Sequence, residues 1–315
     1  MSVYAIANQK GGVGKTTTAI NLASALADTG RRVLLVDLDP QGNATTSLGL
    51  NRAEIPISVY EILLEGMSTQ AGISPTVQDS LFILPANQNL PGAEVELVSR
   101  DDRAHLLRRA LAEVRGDFDY ILIDCPPSLG ILTLNGLAAG DGLFIAMQAE
   151  FLALEGLSQL LRTVQLVKER LNPDLRIAGV VITMYDSRTR LTREVEESLR
   201  RYFQGTTRVF ETTIPRTVRL AEAPSHGLPI NLYAPGSNGA EAYRNLAQEV
   251  IHVTEAGFGE GIGRADTAVV EHAAAAAADG SGSCDAGDRA GGDVGPGYPD
   301  HPNPSEPGPA AAELS

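Results

Sequence analysis

The stretch Val3–Thr18 reads VYAIANQKGGVGKTTT. The apolar run Val3–Ala7 predicts a short buried strand, and Thr16–Asp28 has the pattern of a helix. Between them lie Gly11, Gly12 and Gly14. Strand, glycine loop and helix in direct succession form the context of a phosphate-binding loop. Glycines let successive backbone N–H groups turn inward on an anion, and the helix N-terminus adds its positive dipole end. The segment Lys10, Gly11, Gly12, Val13, Gly14, Lys15, Thr16, Thr17 is therefore the candidate cradle for ATP. Lys15 would reach the β- and γ-phosphates, and the Thr16 hydroxyl would ligate Mg²⁺. The match to G-x-x-x-x-G-K-S/T is imperfect, because Gln9 occupies the first glycine position and Lys10 is an additional cation.

Outward from this loop, apolar runs recur at Arg32–Leu38, Leu81–Leu84, Tyr120–Ile123, Gly142–Met147 and Ile177–Met184. Helical patterns separate them, at Pro91–Arg115, Leu152–Leu171 and Leu191–Phe203, and another closes the series at Ala240–Val253. Nearly continuous apolar strands alternating with helices predict an α/β fold: a mostly parallel twisted sheet with helices on both faces, of the P-loop NTPase class. In an open sheet of this kind ligands bind beyond the C-terminal strand ends. Two runs end there in acids, Arg32–Leu38 at Asp37 and Asp39, and Tyr120–Ile123 at Asp124. An apolar run closed by Asp suits a magnesium carboxylate, which assigns Asp124 beside Thr16 to the metal. Asp39 could position the attacking water. Solvated acids at strand ends are common, and it is the glycine loop that favours the functional reading. Asp37 is open between a functional acid and a cap that orients the loop.

The chain has 315 residues, 43% hydrophobic, without tryptophan, and a formal net charge of −14. Such acidity argues against a general nucleic-acid binder, but it is unevenly spread. Residues 255–315 carry 11 acids and 2 arginines, which leaves −5 on Met1–Thr254. Beyond Thr254 the composition turns to Gly, Ala, Asp, Pro and Ser. The predicted organisation is an ATPase domain over 1–254 and a low-complexity, disordered acidic C-terminal tail over 255–315, with a short helix around Thr267–Ala278. Cys125 and Cys284 lie in neither a CxxC nor a His-rich context, so zinc and a structural disulfide are not expected, and a reducing cytoplasm fits. No signal peptide is read at the N-terminus, and no apolar run approaches the ~18 residues of a membrane span.

Three segments, KGGVGKTT at Lys10–Thr17, LLVDLDPQGNAT at Leu34–Thr45 and ILIDCPPSLG at Ile121–Gly130, resemble the deviant Walker-A ATPases, and within them the ParA/Soj chromosome- and plasmid-partitioning family. LALEGLSQLL at Leu152–Leu161 and IPRTVRLAEAPSHG at Ile214–Gly227 resemble the same family. The resemblance spans roughly Met1–Thr254. It implies that Lys10 is the signature lysine reaching the partner's phosphates across an ATP-sandwich homodimer, in the manner of an arginine finger. It implies that Gly11 lies where the two loops meet, so that a side chain there blocks dimerisation. Asp39 matches the hydrolytic aspartate, Thr17 a phosphate-contacting hydroxyl, and Pro215 with Arg216 the loop approaching adenine. With Lys10, Lys15 and Asp39 as the catalytic set, the implied activity is slow hydrolysis of MgATP. The resemblance further implies that the ATP-bound dimer binds non-specific DNA and that a ParB-like activator stimulates hydrolysis and releases it.

From Tyr185 to Arg219 there are eight arginines against five acids. Arginine contacts to phosphate give salt-sensitive binding without sequence preference. By residue pattern alone the stretch is as readily a charged face, and Glu196–Arg200 and Glu197–Arg201 are ordinary i,i+4 pairs. The resemblance selects Arg188 as the DNA-binding arginine, with Arg219, Arg216 and Arg190 secondary. His226 reads as a loop hydrogen-bonding residue. Tyr243, Leu246, Ala247 and Val250 read as a core stripe. The competing reading is a protein- or membrane-positioning ATPase of the MinD type, which needs a basic amphipathic C-terminal helix. The segment after Val253 has Arg264 as its one basic residue before Asp266. An iron–sulfur reductase needs more cysteine ligands than Cys125 supplies. A repressor with an N-terminal helix-turn-helix is disfavoured because Val3 already opens the first strand. The expectation is a cytoplasmic, nucleoid-associated protein without a membrane partner.

Overall fold

All six apolar runs become strands. In this computed structural model the structure describes residues 1–150 and 153–256, with the side chains of 153–155 outside it. The expected tail over 255–315 and the short helix around Thr267–Ala278 lie, from residue 257 onward, outside the described residues. The strands are β1 (Ser2–Ala7), β2 (Val33–Asp37), β3 (Ser74–Pro75), β4 (Leu81–Leu84), β5 (Tyr120–Asp124), β6 (Gly142–Gln148) and β7 (Arg176–Thr183). They form one seven-stranded sheet in the order β3-β4-β2-β5-β1-β6-β7. Every neighbouring pair is parallel except β3 with β4. The two-residue β3 contains Pro75, and a strand that short with proline suits a sheet edge.

The helices are α1 (Lys15–Ala27), α2 (Asn43–Ser47), α3 (Val59–Glu65), α4 (Thr69–Gly72), α5 (Leu90–Glu96) and α6 (Leu106–Ala112), followed by α7 (Ile131–Ala139), α8 (Ala153–Arg170), α9 (Arg190–Tyr202), α10 (Val218–Glu222), α11 (Ile230–Tyr233) and α12 (Asn238–Glu255). Side chains alternate across a strand, so each central strand feeds two cores. Val3, Ala5 and Ala7 of β1 face one core with α3, α5, α6, α7 and α8. Tyr4 and Ile6 face the other, with α1 and α12. The stripe Tyr243, Leu246, Ala247 and Val250 of α12 is buried in that second core, as its spacing predicts.

The single helix expected over Pro91–Arg115 is not formed. The chain makes α5, a 3-10 turn at Leu97–Ser99, then α6 and a second 3-10 turn at Arg115–Asp117. The buried residues of the first part are Leu90, Ala93 and Leu97, and those of the second Leu106, Leu107, Ala110 and Leu111. On one straight helix these stripes would point roughly 100° apart. Breaking the helix at Arg100, whose backbone turns extended, lets both face the same core. The sequence reading also missed α3 and α7. α3 carries a capping box between Ser58 and Glu61, and α7 is short and apolar nearly all round.

Chain order places the site. β1 is followed by α1 and then β2, with β5 later filling the place between the two strands. The other side of β1 is taken by β6. The direction of winding thus reverses at β1, and the crevice beyond its C-terminal end is where an open α/β sheet binds ligands. Register brings the acids there: Ile6 pairs with Asp124, and Asp124 pairs with Asp37.

Candidate nucleotide site

The glycine loop leaves β1 through Asn8, whose Nδ2 donates to the Ala146 carbonyl at 2.7 Å and whose Oδ1 accepts from the Lys10 N–H at 3.0 Å. At its far side the Thr183 hydroxyl donates to the Val13 carbonyl at 2.7 Å. The loop is therefore pinned to β6 and β7, which no motif in the sequence indicated. Gly14 caps α1 in the left-handed region at φ 82°, a conformation that L side chains rarely adopt. Gly11 is different. A Cβ there would meet no atom of the described residues within 4 Å and its φ is not positive, so nothing among the described residues demands glycine.

Lys15 is buried, and its Nζ donates to the Lys10 carbonyl at 3.1 Å. Burial lowers its pKa, and Asp124 and Asp39 oppose that shift. Lys10 points outward, half-exposed, and forms an ion pair with Glu150. Asp124 is fully buried, and among the described residues neither carboxylate oxygen has a hydrogen-bond partner. Burial pushes its pKa well above the usual carboxylate range, and Asp37 adds to the shift. The Thr16 hydroxyl and Lys15 pull it back. Thr16 thus faces this carboxylate without completing a hydrogen bond of normal geometry. A buried anion with two unsatisfied oxygens beside a hydroxyl is a place where a dication restores the lost solvation. Mg²⁺ keeps several waters and phosphate oxygens, so one carboxylate and one hydroxyl suffice from the protein.

Asp37 does not reach into the crevice as a free acid. Its Oδ2 accepts from the Thr45 N–H at 2.8 Å and the Thr45 hydroxyl at 2.6 Å, and its Oδ1 from the Asp39 N–H at 3.3 Å. It orients the segment from Asp39 to α2, one of the two roles that residue pattern left open. Burial raises its pKa to about 6, against the lowering effect of the Thr45 bonds. Asp39 lies on that segment, its Oδ1 accepting from the Gln41 N–H at 2.9 Å.

A cavity of about 400 Å³ opens beside the loop, lined among others by Gly14, Thr17, Met184, Pro215, Arg216 and Tyr243. Pro215 and Arg216 reach it because their segment pairs in parallel beside Tyr185, just past the end of β7: Tyr185 N–H donates to the Ile214 carbonyl at 2.9 Å, and Arg216 N–H to the Tyr185 carbonyl at 3.2 Å. Sequence separation hides this contact. Met184 lines the same cavity at φ 51°, an uncommon backbone for a residue with a side chain. Tyr243 closes the floor, its hydroxyl 3.3 Å from that of Thr18.

A family model described as an AAA domain matches residues 1–177. The sporulation initiation inhibitor protein Soj of Bacillus subtilis is 54% identical over 248 residues, covering 79% of this chain and 97% of Soj. The chromosome-partitioning ATPase Soj of Treponema pallidum is 52% identical, over 78% of this chain and 94% of that protein. The chain belongs to the ParA/Soj family of partitioning ATPases. Among solved structures, one named cobyrinic acid a,c-diamide synthase from Mycobacterium smegmatis, with a bound ATP analogue and magnesium, superposes with a TM-score of 0.71. It is 43% identical, over 81% of this chain and 96% of that one. As a ParA/Soj member the chain is an ATPase, with ATP and Mg²⁺ as its cofactors.

In this ParA/Soj chain the arginines singled out by sequence are all exposed. Arg188 lies in the loop after β7, Arg190 opens α9, Arg219 lies on α10, and Arg216 is exposed at the cavity mouth. Three of them are engaged locally, Arg188 with Asp186, Arg190 with Glu194 and Arg219 with Glu222. Arg188 and Arg190 side chains are nonetheless 87% exposed. Of the two pairs expected on α9, Arg200 meets Glu196 at 3.0 Å. Arg201 instead donates to the Glu197 carbonyl and the Ser198 hydroxyl. His226 stacks on Tyr233 with ring centroids 4.7 Å apart. Among the described residues no helix is long and apolar enough to cross a membrane.

Proposed function

We propose that this chain is a chromosome- or plasmid-partitioning ATPase. Its ATP-bound homodimer holds DNA without reading sequence, and a ParB-like partner releases it by stimulating hydrolysis. The observation that carries the nucleotide assignment is Asp124, a fully buried carboxylate beside Thr16 and Lys15 with both oxygens lacking a hydrogen-bond partner among the described residues. In this reading the N–H groups of Gly11–Thr17 cradle the phosphates, Lys15 neutralises the β- and γ-phosphates, and Thr16 with Asp124 holds Mg²⁺. Thr17 lies at the cavity wall within reach of a phosphate, and the base occupies the cavity beside Pro215 and Arg216. Asp39 orients the attacking water. Lys10 leaves Glu150 and crosses to the partner's phosphates. The open space at Gly11 supports a dimer role, since its lack of a side chain serves no contact among the described residues.

DNA binding is assigned to Arg188, with Arg219, Arg216 and Arg190 around it. Their ion pairs are exposed, and such pairs are weak in high dielectric, so phosphate can replace the acids. The family suits a cytoplasmic, nucleoid-associated protein. The name of the mycobacterial relative raises an amide synthase as a second reading. Releasing ammonia from glutamine takes an accessible thiolate. Cys125, the one cysteine among the described residues, is fully buried, and burial pushes its thiol pKa up. The test is binding to unrelated duplex DNA with ATP, ADP or no nucleotide over a salt series. Binding with ATP alone that weakens steeply with salt is expected. Hydrolysis without DNA binding in any state would move the assignment to a protein-positioning relative.

A further inference from the structure

Arg52 begins a short 3-10 turn, Arg52–Glu54, and no motif in the sequence pointed to it. Its guanidinium bonds only to backbone oxygens among the described residues. Nη1 donates to the Gln41 carbonyl at 2.5 Å, and Nη2 to the carbonyls of Pro40 at 2.8 Å and Asn87 at 2.7 Å. Nε is buried and has no hydrogen-bond partner among the described residues. The head presses on Gly42 so closely that a Cβ there would fall 2.2 Å from Nε. An arginine placed for stability alone is better served by a carboxylate and a full set of acceptors. This one leaves a donor unsatisfied to reach two consecutive carbonyls.

Those carbonyls belong to the two peptide units that hold Asp39. In a trans peptide the C=O and N–H point in opposite directions. The Pro40 carbonyl faces Arg52, and the N–H of the same unit, on Gln41, donates to Asp39 Oδ1 at 2.9 Å. The Gln41 carbonyl also faces Arg52, and the N–H of that unit, on Gly42, donates to the Asp39 carbonyl at 2.8 Å. Each unit is gripped at both ends. The far anchor is firm as well, because Asn87 Nδ2 donates to Glu61 at 2.7 Å, and Glu61 closes the capping box of α3.

We propose that Arg52 is a positioning residue for ATP hydrolysis, clamping the Pro40–Gln41 turn so that the Asp39 carboxylate is held in one orientation toward the attacking water. The proposal rests on Asp39 as the hydrolytic acid. Without the guanidinium both peptides can rotate to water, and the Gln41 N–H no longer fixes the carboxylate. Arginine suits the task because its planar fork serves adjacent carbonyls at once, whereas lysine offers a single flexible ammonium.

Steady-state hydrolysis, ATP binding and thermal melts of the full chain test this for the parent, Arg52→Ala, Arg52→Lys, Asp39→Ala and the Arg52→Ala/Asp39→Ala double variant. Misplacing a reacting group by about 1 Å costs on the order of 100-fold, so a kcat loss of roughly 10- to 100-fold is expected in Arg52→Ala, with ATP affinity unchanged. Arg52→Lys recovers part of it. The double variant is no slower than Asp39→Ala, because residues acting through one group are not additive. Parental kcat in Arg52→Ala, parallel loss of ATP affinity, or losses that multiply in the double variant would overturn the clamp. Parental turnover in Asp39→Ala alone would instead locate the failure in the reading of Asp39, and the proposal falls with it. Should Arg52→Ala not fold, Arg52→Gln carries the same comparison: lowered kcat at unchanged affinity supports the clamp, and parental kcat overturns it.

Discussion

Replacing Asp124 by asparagine should make the nucleotide-free protein more stable and abolish its response to MgATP. The carboxylate is fully buried, with neither oxygen hydrogen-bonded among the described residues. Burial and the neighbouring Asp37 push its pKa well above the usual range. Asparagine keeps the shape, removes the charge and leaves an unpaired amide, at a cost of about 1–3 kcal/mol. An unpaired buried ion costs several kcal/mol, so the variant gains about 2 kcal/mol. For a domain of this size that raises Tm by roughly 4–8 °C. MgATP then closes or reverses the gap, since ligand at 100 times its Kd stabilises by about 2.7 kcal/mol and only the parent keeps the metal carboxylate. The pH dependence has a definite sign. Native Asp124 holds its proton more tightly than the unfolded chain does. The parent therefore loses stability as pH rises from about 4, the unfolded carboxylate range, toward the native pKa. Asp37, raised to about 6, acts with the same sign from roughly pH 4 to 6 in both proteins. The variant's advantage widens across the Asp124 window. Melts followed by circular dichroism from pH 4 to 8, with and without MgATP, measure all of this. A nucleotide-free variant melting below the parent at neutral pH, or one retaining the full MgATP shift, would refute the reasoning.

Asp39→Ala should bind ATP and dimerise while hydrolysis falls on the order of 10²- to 10⁴-fold, the usual range for losing a positioned base, as measured by phosphate release. Gly11→Val should fold and bind ATP, because a Cβ there meets nothing among the described residues, yet stay monomeric with ATP in light scattering. A dimer of normal stability would remove Gly11 from the interface. Arg188→Glu should spare hydrolysis and dimerisation and abolish ATP-dependent DNA binding, because a phosphate-contacting cation becomes an anion in each subunit. Retained binding with an unchanged salt slope would exclude Arg188 from the contact.

The local pattern of the chain already determined the glycine loop, the alternation of strands and helices, and the acids at the strand ends. These follow from period and neighbours: apolar runs doubly buried in a parallel sheet, left-handed turns that need glycine, and carboxylates where strands stop. The core stripe of α12 was legible for the same reason. What sequence could not supply were distances between segments remote along the chain. Register alone set Asp37 opposite Asp124. Pairing with the end of β7 brought Pro215 and Arg216 to the cavity beside Gly14. The break between α5 and α6 came from the demand that two apolar stripes share one core. Asn8, Thr183 and Arg52 belong to no motif, because each acts through backbone carbonyls, which every residue type presents alike. A side chain that recognises backbone leaves no residue-specific partner to read, and only the folded chain shows which carbonyls it meets.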